Sequence, residues 1–174
     1  AERMQRLVSD LMSLSRIEAL KHDAPTDRID IMTLSREVVG EFSGKAVLEG
    51  TQDPANILGD RGQMAQVIRN LVDNAIKYGA AGEPALVRLE TASTGWVTVE
   101  VSDKGEGISP EHLPRLTERF YRVDAGRSRK VGGTGLGLSI VKHIVERHRG
   151  RLDIRSRPGE GTTASIMLPL ARNC

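Results

Sequence analysis

Residues 60–79, DRGQMAQVIRNLVDNAIKYG, followed at 85–103 by ALVRLETASTGWVTVEVSD, decide the fold. In the first stretch Met64, Val67, Ile68, Leu71, Val72, Ala75 and Ile76 recur at helical spacing, so 60–78 reads as one amphipathic helix. Gly79 and Gly82 stop it. In the second, 85–92 and 96–102 alternate apolar with polar around Ser93, Thr94 and Gly95, the pattern of a hairpin. Helices mixed with antiparallel strands point to an α+β fold, a two-layer sandwich.

The flanks extend this pattern. Upstream, 31–42 reads as a helix with Thr33 or Asp30 as its N-cap, and 46–58 as short strands around Gly50, Asp53 and Pro54. Residues 21–30, with His22 and Pro25, read as a linker. In 1–20, Met4, Leu7, Leu11 and Leu14 alternate spacings of three and four. That fits a helix-bundle seam, and equally a helix lying on its own domain. Downstream, 110–119 reads as a short helix, 126–133 as a mobile charged loop and 134–147 as a helix. Residues 151–157 and 163–168 form a last hairpin around Pro158, Gly159 and Gly161.

Bulk properties exclude several classes. With 174 residues, 39% hydrophobic and 28% charged, the chain suits a soluble domain with a real core. Aromatics are 3%, so that core is aliphatic. A net charge of +2 is too small to argue for nucleic acid. The single cysteine, Cys174, excludes an internal disulfide framework and a cysteine metal site. No apolar run approaches the roughly 18 residues of a membrane helix. The chain opens inside a helix, which reads as a start partway along a longer protein whose membrane spans would lie upstream.

Three stretches carry candidate chemistry. On the long helix Asn70, Asn74 and Lys77 fall at i, i+4 and i+7 on one face. Amide oxygens suit Mg²⁺ and an ammonium suits phosphate, although a solvated polar face has the same pattern. Asp103-Lys104-Gly105-Glu106-Gly107 follows a strand. Its carboxylate can accept from an exocyclic amine such as adenine N6, and its glycines admit a flat base; a plain turn uses the same residues. Gly132-Gly133-Thr134-Gly135-Leu136-Gly137-Leu138 runs into a helix and can cradle phosphate with backbone N–H groups. It lacks the Walker ending, and Arg127, Ser128, Arg129 and Lys130 before it are no buried strand, which argues against a dinucleotide fingerprint. Between them Phe120 and Tyr121 offer a loop anchor. Arg119, Arg122, Arg127, Arg129 and Lys130 against Asp124 make the loop basic enough to close over a triphosphate, or simply soluble.

Order and spacing together are specific. Asn70-Leu71-Val72-Asp73-Asn74-Ala75-Ile76-Lys77-Tyr78 resembles the N box of bacterial sensor histidine kinases. Asp103 to Gly107 resembles their G1 box, Phe120-Tyr121-Arg122 the F box, and Gly133-Thr134-Gly135-Leu136-Gly137-Leu138 the G2 box. Gly159-Glu160-Gly161-Thr162 is similar to the last turn of the same ATP-binding domain, and the resemblance, nearest to PhoR-type kinases, runs from 28 to 171. It implies the GHKL fold and the substrate ATP with Mg²⁺. Asn74 would be the chief Mg²⁺ ligand with Asn70 beside it, and Lys77 and Arg122 would meet phosphate. Tyr78 would lie against adenine, and Asp103 would bind N6, with Thr162 acting through water. Gly105, Gly107 and Phe120 belong to the same nucleotide-binding set. Gly133, Thr134, Gly135, Leu136, Gly137 and Leu138 would form the hinge of the lid and approach the phosphates.

The resemblance also sets the organisation. Residues 1–22 would be the remnant of the second dimerisation helix, 23–30 the linker and 31–171 the catalytic ATP-binding domain. The implied partners are the protein's own dimerisation and phosphotransfer domain, in a homodimer, and a response regulator. The implied location is the cytoplasmic side of an inner-membrane sensor. The family's acceptor motif, Ser-His-Glu-Leu-Arg-Thr-Pro, is absent, and His22, His112, His143 and His148 have no such surroundings. This chain alone is therefore expected to bind ATP without phosphorylating itself.

Overall fold

The computed structural model describes residues 1–50, 53–124 and 133–172. The chain runs α1 (Glu2–Ala19), β1 (Arg28–Asp30), α2 (Ile31–Gly40), β2 (Ala46–Glu49), β3 (Asn56–Leu58), α3 (Arg61–Tyr78), β4 (Ala85–Ala92) and β5 (Trp96–Asp103). A 3₁₀ turn (Leu113–Arg115), α4 (Gly137–Arg147), β6 (Arg151–Ser156) and β7 (Thr162–Pro169) complete it. The main sheet has the order β2-β4-β5-β7-β6, with β2 parallel to β4 and every other pair antiparallel.

Period-two alternation sends Val87 and Leu89 of β4, Val97, Val99 and Val101 of β5, and Ile166 and Leu168 of β7 into the core. Against that face lie α2, α3 and α4, giving the α+β two-layer sandwich. Helix α3 seals it with Met64, Val67, Ile68, Leu71 and Val72, each nearly inaccessible. Burying one such side chain stabilises by about 1.5–3 kcal/mol. Asp60 caps α3, accepting from the Gln63 N–H at 2.9 Å.

The segment read as linker ends in a strand. Arg28–Asp30 pairs antiparallel with β3, and Ile57 bridges to Leu170 to join this small sheet to the main one. Asp30, not Thr33, caps α2: its carboxylate accepts from Met32 N, the Thr33 hydroxyl and Ala55 N. Burial pushes that carboxyl up, but the three partners outweigh it and hold it below the ordinary value.

Two expected helices change. Residues 110–119 hold only the 3₁₀ turn, because Pro114 has no N–H to give the Pro110 carbonyl. The helix expected from 134 begins at Gly137. The apolar seam of α1 divides: Leu14 and Ile17 are buried against α4, whereas Met4 and Leu11 are 72% and 42% exposed.

His148 pins the helix layer. Its Nε2 accepts from the Asp60 N–H at 2.9 Å and its Nδ1–H donates to the Ile144 carbonyl at 2.8 Å, so the neutral ring ties the end of α4 to the start of α3. Burial pushes its pKa below the ordinary 6.5, with Arg147 adding to the effect and Ile144 and Asp60 opposing it. The unfolded chain then takes up a proton at higher pH than the folded one, so stability is lost as pH falls through about 6.5. We expect a lower urea midpoint at pH about 5.5 than at about 7.5, with a shallower dependence in His148→Gln. Burial holds His143 low as well, which leaves some slope in the variant. An identical slope in both proteins would remove His148 from this role.

Candidate functional site

Asp103 continues the inward parity of Val97, Val99 and Val101, so its carboxylate enters the sandwich beneath the end of α3. The β5–β7 register pairs it with Thr162, which shares the inward parity of Ala164, Ile166 and Leu168. A one-residue slip of either strand would turn that strand's side chain to the outer face. Asp103 Oδ1 accepts from the Gly105 N–H at 2.8 Å. Burial pushes this carboxyl up, and backbone N–H groups of Gly105 and Thr162 offset part of the effect.

The chain around Asp103 is packed backbone on backbone. A Cβ on Gly105 would lie 2.0 Å from the Tyr78 carbonyl oxygen, where no side chain fits. Gly161, at φ +82°, would place one 2.1 Å from the Asp103 carbonyl oxygen. These contacts seat the end of α3 on the end of β5 and leave a cleft of about 730 Å³ beside them. That volume suits a cofactor-sized ligand.

Asn70, Asn74, Lys77 and Tyr78 of α3 line this cleft. Asp103, Gly107, Arg122, Gly133, Thr134, Gly135, Gly137, Leu138 and Thr162 line it too. Asn70 Nδ2 donates to the Gly137 carbonyl at 3.4 Å, and Lys77 pairs with Asp73 at 2.7 Å. Three residues of the sequence-derived set are not in the wall. Gly105 acts behind it, through the N–H that holds Asp103. Phe120 is 55% exposed with φ +64°, and Leu136 is wholly buried in the core.

The chain on the two sides of residues 125–132 is tied together. The Phe120 N–H donates to the Gly135 carbonyl at 2.8 Å. Beside it the Tyr121 hydroxyl meets His112 Nδ1 at 2.5 Å, and the Arg115 guanidinium lies 4.3 Å above the Tyr121 ring. Of the basic residues counted for the lid, Arg122 lines the cleft while Arg119 pairs with Glu18 of α1. Arg127, Arg129 and Lys130, with Ser128 and Gly132, lie outside the described residues.

Sequence reasoning missed the apolar wall, Val101, Ile108, Leu116, Ile154 and Ala164, and the contribution of α1, Arg6 and Asp10. Strand parity could have found Val101 and Ala164. Nothing in the sequence could have found Asp10, whose carboxylate accepts from the Thr134 hydroxyl at 2.7 Å.

Known proteins resemble this chain in sequence and in fold. The family described as histidine kinase-, DNA gyrase B-, and HSP90-like ATPase matches residues 59–172. The phosphate regulon sensor protein PhoR of Pseudomonas aeruginosa is 39% identical over 171 residues, 94% of this chain and 38% of its own. The sensor-like histidine kinase SenX3 of Mycolicibacterium smegmatis is 34% identical over 175 residues, 97% of this chain and 45% of its own. The chain thus spans less than half the length of these relatives. Full-length ShkA in complex with AMPPNP matches with a TM-score of 0.80 and 25% identity, over 98% of this chain and 36% of that one. The mycobacterial sensor histidine kinase MprB matches with a TM-score of 0.69 and 30% identity, over 83% of this chain and 97% of that one.

Space, rather than backbone angle, distinguishes two glycines of the last turn. Gly159 and Gly161 share φ +82°, but a Cβ on Gly159 meets nothing within 4 Å. Gly159→Ala should cost about 1–2 kcal/mol from the left-handed backbone alone. Gly161→Ala should cost about 3 kcal/mol or more and disturb Asp103 as well. Urea denaturation of both variants checks the contrast, and equal losses would refute it.

Proposed function

The chain belongs to the family of histidine kinase-, DNA gyrase B- and HSP90-like ATPases, and from that premise we propose that it is the ATP-binding catalytic domain of a sensor histidine kinase. In the whole protein it would pass the γ-phosphate of ATP to a histidine of the dimerisation domain, for relay to a response regulator. The observation that carries this reading is Asp103, a half-buried carboxylate at the inner end of the cleft. Such a group is held at a cost unless a donor arrives, and the adenine amino group is one.

The other lining residues fit the rest of the nucleotide. Tyr78 and the apolar wall exclude water from the base, and Thr162 stands beside Asp103 across the β5–β7 ladder. Asn70 and Asn74 supply neutral amide oxygens on one helix face, a donor set suited to a hard cation that keeps some of its water. They would hold Mg²⁺, which when bound neutralises phosphate charge and fixes its orientation. Lys77 and Arg122 bring cations to the same stretch. Asn74, Lys77 and Arg122 would thus act by positioning and charge stabilisation, while the attacking nitrogen comes from the dimerisation domain. In this arrangement 1–22 is the end of that domain's second helix, 23–30 the connection and 31–171 the catalytic domain.

No helix among the described residues is long and apolar enough to cross a membrane. Attachment to the inner membrane, with this domain on the cytoplasmic side, would come through other segments of the full protein.

Titration calorimetry with AMPPNP, with and without Mg²⁺, tests the pocket. We expect one-to-one binding, and a loss of about tenfold or more in Asp103→Asn, whose amide presents a donor to a donor. A folded wild-type chain that binds nothing would remove the nucleotide reading. Equal affinity in the variant would remove Asp103 from the adenine.

Transfer is tested separately. This chain alone should incorporate no stable label from γ-labelled ATP, and adding the dimerisation domain in trans should yield acid-labile phosphohistidine. Nucleotide binding without that product would leave an ATP-binding regulatory module in place of a kinase domain.

A further inference from the structure

Helix α1 reaches the end of the cleft opposite Asp103. Its Asp10 accepts from the Thr134 hydroxyl at 2.7 Å, and both residues line the cleft together with Arg6. A hydroxyl has one proton to give. Here Thr134 gives it to Asp10 and takes the Leu136 N–H on its oxygen at 3.3 Å, so it has no donor left for a ligand. Contacts away from the cleft keep α1 in place: Leu14 and Ile17 are buried, Arg147 Nε donates to the Leu20 carbonyl at 3.1 Å, and Arg119 pairs with Glu18.

We propose that Asp10 is a specificity-determining residue that selects against the terminal phosphate of the nucleotide. While α1 is seated, the cleft prefers a nucleoside diphosphate to a triphosphate. This rests on the nucleotide reading above. Lys77, Arg122, Gly133, Thr134, Gly135 and Gly137 line the same cleft as Asp103. With the base at Asp103 the phosphates would therefore run towards them, and the terminal phosphate would meet the glycine-rich segment at Thr134. A Cβ on Gly133 would lie 3.4 Å from the Arg122 guanidinium and 3.5 Å from the Tyr78 hydroxyl, so a phosphate-binding cation stands next to the residue that precedes Thr134. There the protein has already placed an anion of its own.

Two anions a few ångströms apart in a partly enclosed cleft repel, and they compete for one hydroxyl proton. A diphosphate lacks the group that meets Asp10. Seating of α1 and occupancy by the terminal phosphate therefore oppose each other, and by linkage each weakens the other equally. Movement of α1 becomes the step that admits ATP, and its return favours ADP in the cleft.

The test is titration of the wild-type chain, Asp10→Asn and Asp10→Ala with AMPPNP and with ADP, at one Mg²⁺ and salt concentration. Asparagine keeps an acceptor for Thr134 without the charge, and alanine removes both. Arg6 is present throughout, so the comparison reads the carboxylate. The affinity for AMPPNP relative to ADP should rise about tenfold in Asp10→Ala, with Asp10→Asn between that and wild type. ADP affinity should stay within about twofold. An unchanged ratio, or an equal gain for both nucleotides, would overturn the proposal while leaving the nucleotide reading intact. Binding of neither nucleotide by any of the three chains would overturn both.

Discussion

The seam between the end of α3 and the end of β5 is the constraint from which the site follows. At Gly105 the Tyr78 carbonyl stands where a side chain would begin, and at Gly161 the Asp103 carbonyl does the same. Backbone contact this close seats the α3 terminus against the end of β5 with no room for a side chain between them. Two groups far apart in sequence, the Asn70–Lys77 face and the Asp103 carboxylate, are thereby held on one cleft. The β5–β7 ladder supplies the second coordinate, because only the register Asp103↔Thr162 turns both side chains inward.

The opposite wall is built differently. The core side of α3 is aliphatic and nearly inaccessible, and α1 is docked on α4 through buried Leu14 and Ile17, whereas the contacts beside the cleft are single polar ones: Phe120 to Gly135, Tyr121 to His112, Thr134 to Asp10. Single hydrogen bonds of this kind contribute about 0.5–1.5 kcal/mol each, less than the roughly 1.5–3 kcal/mol of one buried aliphatic side chain of α3. The side of the cleft built by α3 and β5 is thus the more firmly packed one. The side that carries Phe120 and Thr134 is held by exchangeable polar bonds.

Legibility in the sequence follows the same division. Helix α3 and the β4–β5 hairpin were readable because Met64 to Ile76 and Ala85 to Ser102 each keep one period over many residues. Strand β1 was not, since three residues carry no measurable alternation. Residues 110–119 have helix-like polarity, and only the missing Pro114 N–H shows that a helix cannot propagate there. In the site, motif order identified most of the wall but could not say which way each motif residue faces. Phe120 lies on the surface although Tyr121 beside it lines the cleft, and Leu136 lies in the core although Gly135 and Gly137 on either side line it. Asp10 and Thr134 are ordinary polar residues 124 positions apart, and only the folded chain brings them together.

Asp103 shows why a fold would keep an arrangement that weakens it. Burial raises its pKa, so the folded chain holds this proton more tightly than the unfolded chain does. Stability from that group is present at low pH and lost as pH rises from the unfolded carboxylate value through the raised one, which makes ionised Asp103 a liability at neutrality. The Gly105 and Thr162 N–H groups offset part of the penalty. A donor brought by a ligand would offset more, and any free energy recovered in this way appears as affinity and as ligand-dependent stability together. On the proposed nucleotide reading, the carboxylate that disfavours the empty domain is the group that would make a purine amine worth binding.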